Sequence, residues 1–117
     1  MTVPEPGDIF WVSLDPALGT EQAGRRPAVV VSTREFNALS PRVLICPISK
    51  RHRDWPVVVP MPSDGQIRGI VLCDQLRAID RQSRLHGFIE RLPDRYVTSV
   101  RSVLATIIGL SQRVTGT

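Results

Sequence analysis

GDIFWVSLDPALGTEQAGRRPAVVVS, residues 7–32, holds two apolar runs separated by a polar stretch. Ile9 to Leu14 is short, rich in aromatic and β-favouring residues, and opens after Gly7 and Asp8, which predicts a strand. Pro27 to Ser32 is a continuous β-branched run and predicts a central strand, with Pro27 tolerated because it opens the segment. Between them, Asp15 to Arg26 has no hydrophobic period, carries two glycines and begins on the turn-forming Asp-Pro pair, so a loop of about twelve residues is expected. A loop of that length in a small domain is the first place to look for function.

Moving outward, Thr33 to Ser40 predicts a helical turn, and Arg42 to Ile48 and Trp55 to Val59 predict two strands joined by the basic connector Ser49 to Asp54. Pro60 to Gly69 reads as a turn. Ile70 to Cys73 with Leu76 to Ile79 reads as strand with a polar kink at Asp74 and Gln75, and Gly87 to Ile89 as a short closing strand. One clear helix is expected from Pro93 at its first position, with Asp94 complementing the dipole and Gly109 as the stop. Val97, Val100, Val103, Leu104, Ile107 and Ile108 give it an apolar stripe that must dock on its own barrel or on a second subunit. Five or six short strands and one terminal helix predict a mainly β fold, a small and strongly bent antiparallel barrel with the helix closing one end.

The chain is 117 residues long, 42% hydrophobic and 22% charged, as expected of one compact domain able to fold around a single core. No apolar run reaches the roughly 18 residues of a membrane span, and Met1 to Asp8 lacks a signal-peptide layout, so a cytoplasmic location is expected. Cys46 and Cys73 stand without CxxC spacing beside only two histidines, His52 and His86, so neither a zinc site nor a disulfide framework is signalled. Both cysteines read as small core residues. The net charge of +4 is carried by fourteen arginines and Lys50 against eleven acids. Forked, permanently charged guanidinium groups suit phosphate, so an anionic partner fits, although the same charge also serves solubility.

The motifs of phosphate-cradling loops, nucleophile elbows and zinc proteases are absent. What remains is an arginine pair at the mouth of a central strand (Arg25, Arg26), Glu21 within the long loop, hydroxyls at two strand ends (Ser32, Ser49) and Asp74. Taken with Phe36-Asn37, the Pro47-Ile48-Ser49 step and CDQLRAID at Cys73 to Asp80, the opening segment resembles the MazF/PemK (Kid) family of toxin endoribonucleases, motif after motif in the same order.

The resemblance implies an SH3-like barrel of the MazF/CcdB type, a homodimer, and cleavage of single-stranded RNA at short motifs without metal or cofactor, leaving a 2′,3′-cyclic phosphate and a 5′-hydroxyl. RNA supplies its own nucleophile, the ribose 2′-hydroxyl, so the enzyme has to align it, remove its proton, neutralise the phosphorane and protonate the leaving oxygen. By resemblance Arg26 is the catalytic arginine before proline, with Pro27 holding its backbone extended. Ser49 stands where relatives mostly carry threonine; its hydroxyl can still donate to a phosphoryl oxygen, without the stiffness of β-branching. Glu21 either acts as base or orients Arg26. Gln22 and Gly24 read as architectural, the amide also lying within reach of RNA.

Asp74 matches an acid of PemK-type relatives, but Leu72 replaces the arginine often found two places earlier, so a structural hydrogen-bonding role is equally open. Thr20 stands where those relatives carry histidine. Arg25, Lys50, Arg51 and Arg53 can track the RNA backbone, with Thr20, Gln22, Asp74 and Gln75 beside them. Trp55 offers a stacking face or a core contact, and His52 is one more member of the basic connector. The basic groove also suits the acidic, partly disordered segment of a cognate antitoxin. Two other readings share the barrel: a CcdB-like gyrase poison that acts by protein contact, and a decayed toxin that only binds RNA.

Overall fold

The computed structural model describes residues 2–16, 19, 21, 23–51 and 56–110. Along them run β1 (Asp8–Ser13), β2 (Arg25–Val30), α1 (Arg34–Leu39), β3 (Arg42–Ser49), β4 (Val58–Pro60), β5 (Ile70–Leu72), a 3-10 turn (Cys73–Gln75), β6 (Arg77–Asp80), α2 (Arg81–Arg84), β7 (Leu85–Arg91) and α3 (Asp94–Ile107). The strands pair antiparallel in the order β4-β5-β3-β2-β1-β7, with β6 also on β3. This is the expected class, a mainly β fold built on a bent antiparallel sheet with a C-terminal helix.

The sheet has a core on each face, which explains the unbroken apolar run of β2. On the outer face Ile9, Val29, Val31, Cys46 and Ile48 pack with Val59, Val71 and Leu92 under Val97 and Val100 of α3. On the inner face Val12, Leu14, Ala28, Val30, Val43, Ile45 and Ile79 form a second cluster, walled by Phe10 and Leu85. The alternation along β1, β2 and β3 assigns each residue to its side. Arg101 fastens α3 to the end of β2, its Nε and Nη2 donating to the Val31 carbonyl at 3.1 and 2.8 Å.

Several boundaries differ from expectation. β2 begins at Arg25 rather than at Pro27, because Arg25 and Arg26 find cross-strand partners in Ser13 and Val12. Pro27 is tolerated inside the strand since the ladder to β3 starts only at Ala28, leaving one flank of Pro27 without a ladder partner. β4 starts at Val58, after a turn at Pro56 and Val57, and Trp55 lies outside the described residues. The kink at Asp74 and Gln75 is a full 3-10 turn that separates two strands: β5 pairs Ile48 and Ser49, while β6 pairs Arg42 to Ile45.

The last strand, β7, spans seven residues and runs along β1, with register shifts around Phe10 that bend the pair. Among the described residues no ladder joins it to β4 or β6, so it is an edge and does not close the barrel. Pro93 is the N-cap of α3, not its first helical residue: its carbonyl accepts the first helical bond from Val97 N–H at 3.3 Å. At the other end Leu110 N–H reaches Ala105 O at 2.7 Å and Gly109 N–H reaches Thr106 O at 3.2 Å, a Schellman stop with Gly109 at φ 85°.

Candidate active site

Arg26 and Ser49 end up on one face at one end of the inner core. Arg26, Ala28 and Val30 alternate along β2, and Val43, Ile45, Pro47 and Ser49 along β3, so both side chains belong to the face that carries the inner cluster. The β2–β3 register pairs Ala28 with Pro47, and continuing it by two residues brings Arg26 level with Ser49. Arg26 is exposed, and its Nε donates to the Ala23 carbonyl at 3.1 Å. That bond orients the guanidinium plane without using the two terminal nitrogens that form its fork. Ser49 is buried, and its Oγ accepts the Arg51 N–H at 3.0 Å, a bond that does not use its own O–H, for which no acceptor is found among the described residues.

The loop before Arg26 is anchored from both ends. Leu14 N–H donates to Gly24 O at 2.9 Å, and Gly24 N–H to Asp15 Oδ1 at 2.9 Å, so the chain leaves β1 and enters β2 through one staple. Three consecutive carbonyls at its base accept from arginines: Leu14 O from Arg77 Nη1 at 3.1 Å, Ser13 O from Arg84 Nη1 at 3.2 Å, and Asp15 O from the same Arg84 nitrogen. Arg84 is set by α2, which Asp80 caps by accepting the Ser83 N–H and hydroxyl at 2.9 and 2.8 Å. These Ser83 bonds, the hydroxyl's first, hold the Asp80 carboxyl below the usual carboxylate range.

The other expected residues divide. Glu21 is exposed on the loop, and Lys50 and Arg51 are exposed directly after Ser49. Arg25 does not stand with Arg26 as a pair at one mouth: successive strand residues face opposite ways, which places Arg25 on the outer-core face of β2. Asp74, exposed, and Gln75, half-buried, sit in the 3-10 turn on the flank of β3 away from β2, so β3 lies between them and Arg26. Thr20, Gln22 and Arg53, with His52 and Trp55, lie outside the described residues. Cys46 and Cys73 are buried free thiols, as expected; burial first, then the Asp74 charge, pushes Cys73 up to about 11, and burial raises Cys46 as well.

Sequence reasoning missed Arg77 and Arg84, because their partners are carbonyls at the base of a distant loop, and with them Asp80, whose cap on α2 sets Arg84. It also missed Glu90, whose Oε1 and Oε2 accept the Gln66 and Ile67 N–H groups at 3.0 and 2.8 Å. The Asp80-x-x-Ser83 spacing was a visible capping signal for α2. Nothing in the chain marks Glu90.

The chain is similar to known proteins along nearly its whole length. Residues 5–108 match the model of the PemK-like, MazF-like toxins of type II toxin-antitoxin systems. It is 34% identical over 108 residues to the Escherichia coli endoribonuclease PemK, covering 89% of this chain and 81% of that protein. It is 40% identical over 83 residues to the endoribonuclease toxin MazF of Escherichia coli K12, covering 70% and 73%. The crystal structure of MazF from Deinococcus radiodurans superposes with a TM-score of 0.86 at 32% identity, covering 94% of this chain and all of that one. The MazE-MazF complex from the same organism superposes at 0.81 and 31% identity, with 94% of this chain and 100% of that one covered. With a family model spanning nearly its whole length and relatives above 30% identity on the same fold, the chain belongs to the PemK-like, MazF-like toxins of type II toxin-antitoxin systems.

Proposed function

We propose that this chain is an endoribonuclease toxin that cuts single-stranded RNA at short motifs, without a metal, by attack of a ribose 2′-hydroxyl on the adjacent phosphorus. The bond from O2′ to phosphorus forms as the bond to the 5′-oxygen breaks, leaving a 2′,3′-cyclic phosphate and a 5′-hydroxyl. The Arg26 fork holds two phosphoryl oxygens as charge builds on them, and Ser49 donates its O–H to the same group. Glu21 takes the 2′-proton or, where it orients Arg26 instead, leaves that proton to water, and the departing 5′-oxygen takes a proton from water. The observation that carries this reading is the shared face and level of Arg26 and Ser49 at the ends of neighbouring strands.

In this reading Lys50, Arg51 and Arg25 meet the RNA backbone, with Arg53, Thr20, Gln22, Asp74 and Gln75 as further contacts. The partner is an antitoxin, which the solved MazE-MazF complexes of a relative support; its acidic segment competes with RNA for the basic surface. We also propose a homodimer acting in the cytoplasm; no helix of the described residues is long and apolar enough to cross a membrane.

The test is incubation with a long single-stranded RNA in EDTA, followed by mapping of 5′ ends. Recurrent cuts at one short motif are expected. Arg26→Ala should lower the rate by about 10²-fold or more while leaving the circular dichroism spectrum unchanged. Intact RNA overturns the proposal; accompanied by inhibited gyrase, it points to a protein-binding poison.

A further inference from the structure

We propose that Arg68 is a further RNA-phosphate contact, presented beside Ser49 by the loop between β4 and β5, and that Glu90 positions it; this rests on the ribonuclease reading above. β5 pairs with β3 at Ile48 with Val71 and Ser49 with Ile70. The preceding residue, Gly69, lies against the Ser49–Lys50 peptide: a Cβ there would stand 2.3 Å from Ser49 O and 3.4 Å from Lys50 Cα, at a φ of +130°. Only glycine allows so close an approach. Arg68 therefore emerges one residue from the chain segment that carries Ser49, Lys50 and Arg51.

Both neighbours of Arg68 are held. Gly69 O accepts the Met61 N–H at 2.9 Å, and Ile67 donates its N–H to Glu90 Oε2 at 2.8 Å while packing on the outer core. Glu90 Oε1 accepts the adjacent Gln66 N–H at 3.0 Å, so one carboxylate grips two successive peptides by charge-assisted bonds. The backbone of an exposed arginine is thus preorganised on both sides, an unusual outlay for a side chain with no task. No salt bridge of the described residues involves Arg68 or Arg51. Arg68 and Arg51 lie two residues beyond the Ser49–Ile70 pair at the same end of the β3–β5 ladder, where two like charges repel until an anion spans them. The phosphate next to the one being cut supplies that anion.

The probe is an oligoribonucleotide across a mapped cut site, with the attacking 2′-hydroxyl replaced by hydrogen so that it binds uncut. Arg68→Ala is expected to reduce the slope of log affinity against log salt by about 0.7, which corresponds to roughly 5-fold weaker binding at 0.1 M salt. Arg68→Lys should keep the wild-type slope. Glu90→Gln should weaken binding in the wild-type background, and by less than about 1.5-fold when Arg68 is already alanine. Unchanged affinity and slope for Arg68→Ala, in a chain whose wild type cuts RNA, overturns the contact. Equal Glu90→Gln effects in both backgrounds overturn the positioning role. A wild type that leaves long RNA intact overturns the ribonuclease reading and this inference together.

Discussion

Asn37 is fully buried, and its amide joins segments far apart in the chain. Its Nδ2 donates to Pro4 O at 2.9 Å and Ser32 O at 3.2 Å, and its Oδ1 accepts from the Ser32 hydroxyl, which in turn accepts the Leu44 N–H at 3.0 Å. Arg81 adds a bond to the Asn37 carbonyl at 2.6 Å. Every member of this network is satisfied, and cutting it strands buried donors and acceptors that water cannot reach. Asn37→Ala is therefore expected to cost about 2–4 kcal/mol of stability, read from the midpoint of urea unfolding at unchanged slope. A variant that melts with the wild type would show that the network carries no net stability. Phe36-Asn37 was legible as part of a family pattern, but its structural role was not, because Pro4 and Arg81 become its neighbours only on folding. Arg26 shows the converse case: Pro27 next to it already dictated an extended backbone, and only the level with Ser49 had to come from the sheet.

At the scale of elements, the loop carrying Glu21 is held by parts that lie late in the chain. Arg77 on β6 and Arg84 on α2 together bond the carbonyls of Ser13, Leu14 and Asp15, next to the Asp15–Gly24 staple. A small displacement of the loop would misalign reacting groups, and catalysis is far more sensitive to alignment than binding is. Arg84→Ala should retain the fold and lower the single-turnover cleavage rate by about 10–10²-fold, with a smaller change in affinity for an uncleavable RNA. Wild-type rates in that variant would show that the loop keeps its shape without the clamp. α2 could not be read from periodicity, since its four residues complete barely one turn. The two strands flanking the 3-10 turn were legible as apolar runs. That they pair different halves of β3 was not, because register depends on which face of β3 each run covers.

For the whole molecule, the stripe on α3 divides. Val97 and Val100 are buried on the outer core, whereas Ile107 is 44% exposed and Ile108 65% exposed. Leu110 follows the Schellman stop and is also exposed. If the proposed homodimer uses this end of the helix, Ile108→Glu should shift sedimentation from dimer to monomer without lowering the melting temperature of the fold. A dimer that survives the change would locate the interface elsewhere.

The sequence by itself determined the strand segments, the terminal helix with its Gly109 stop, and the family pattern from Gly7 to Asp80, because period, turn chemistry and fixed spacing are local properties of the chain. The tertiary structure alone decided that Arg25 and Arg26 face apart, that the sheet stays open at β7, that distant arginines hold the loop, and that Arg68 emerges beside Ser49. Each of these depends on ladder register and on hydrogen bonds between residues far apart in sequence, which arise only when the sheet bends around its two cores.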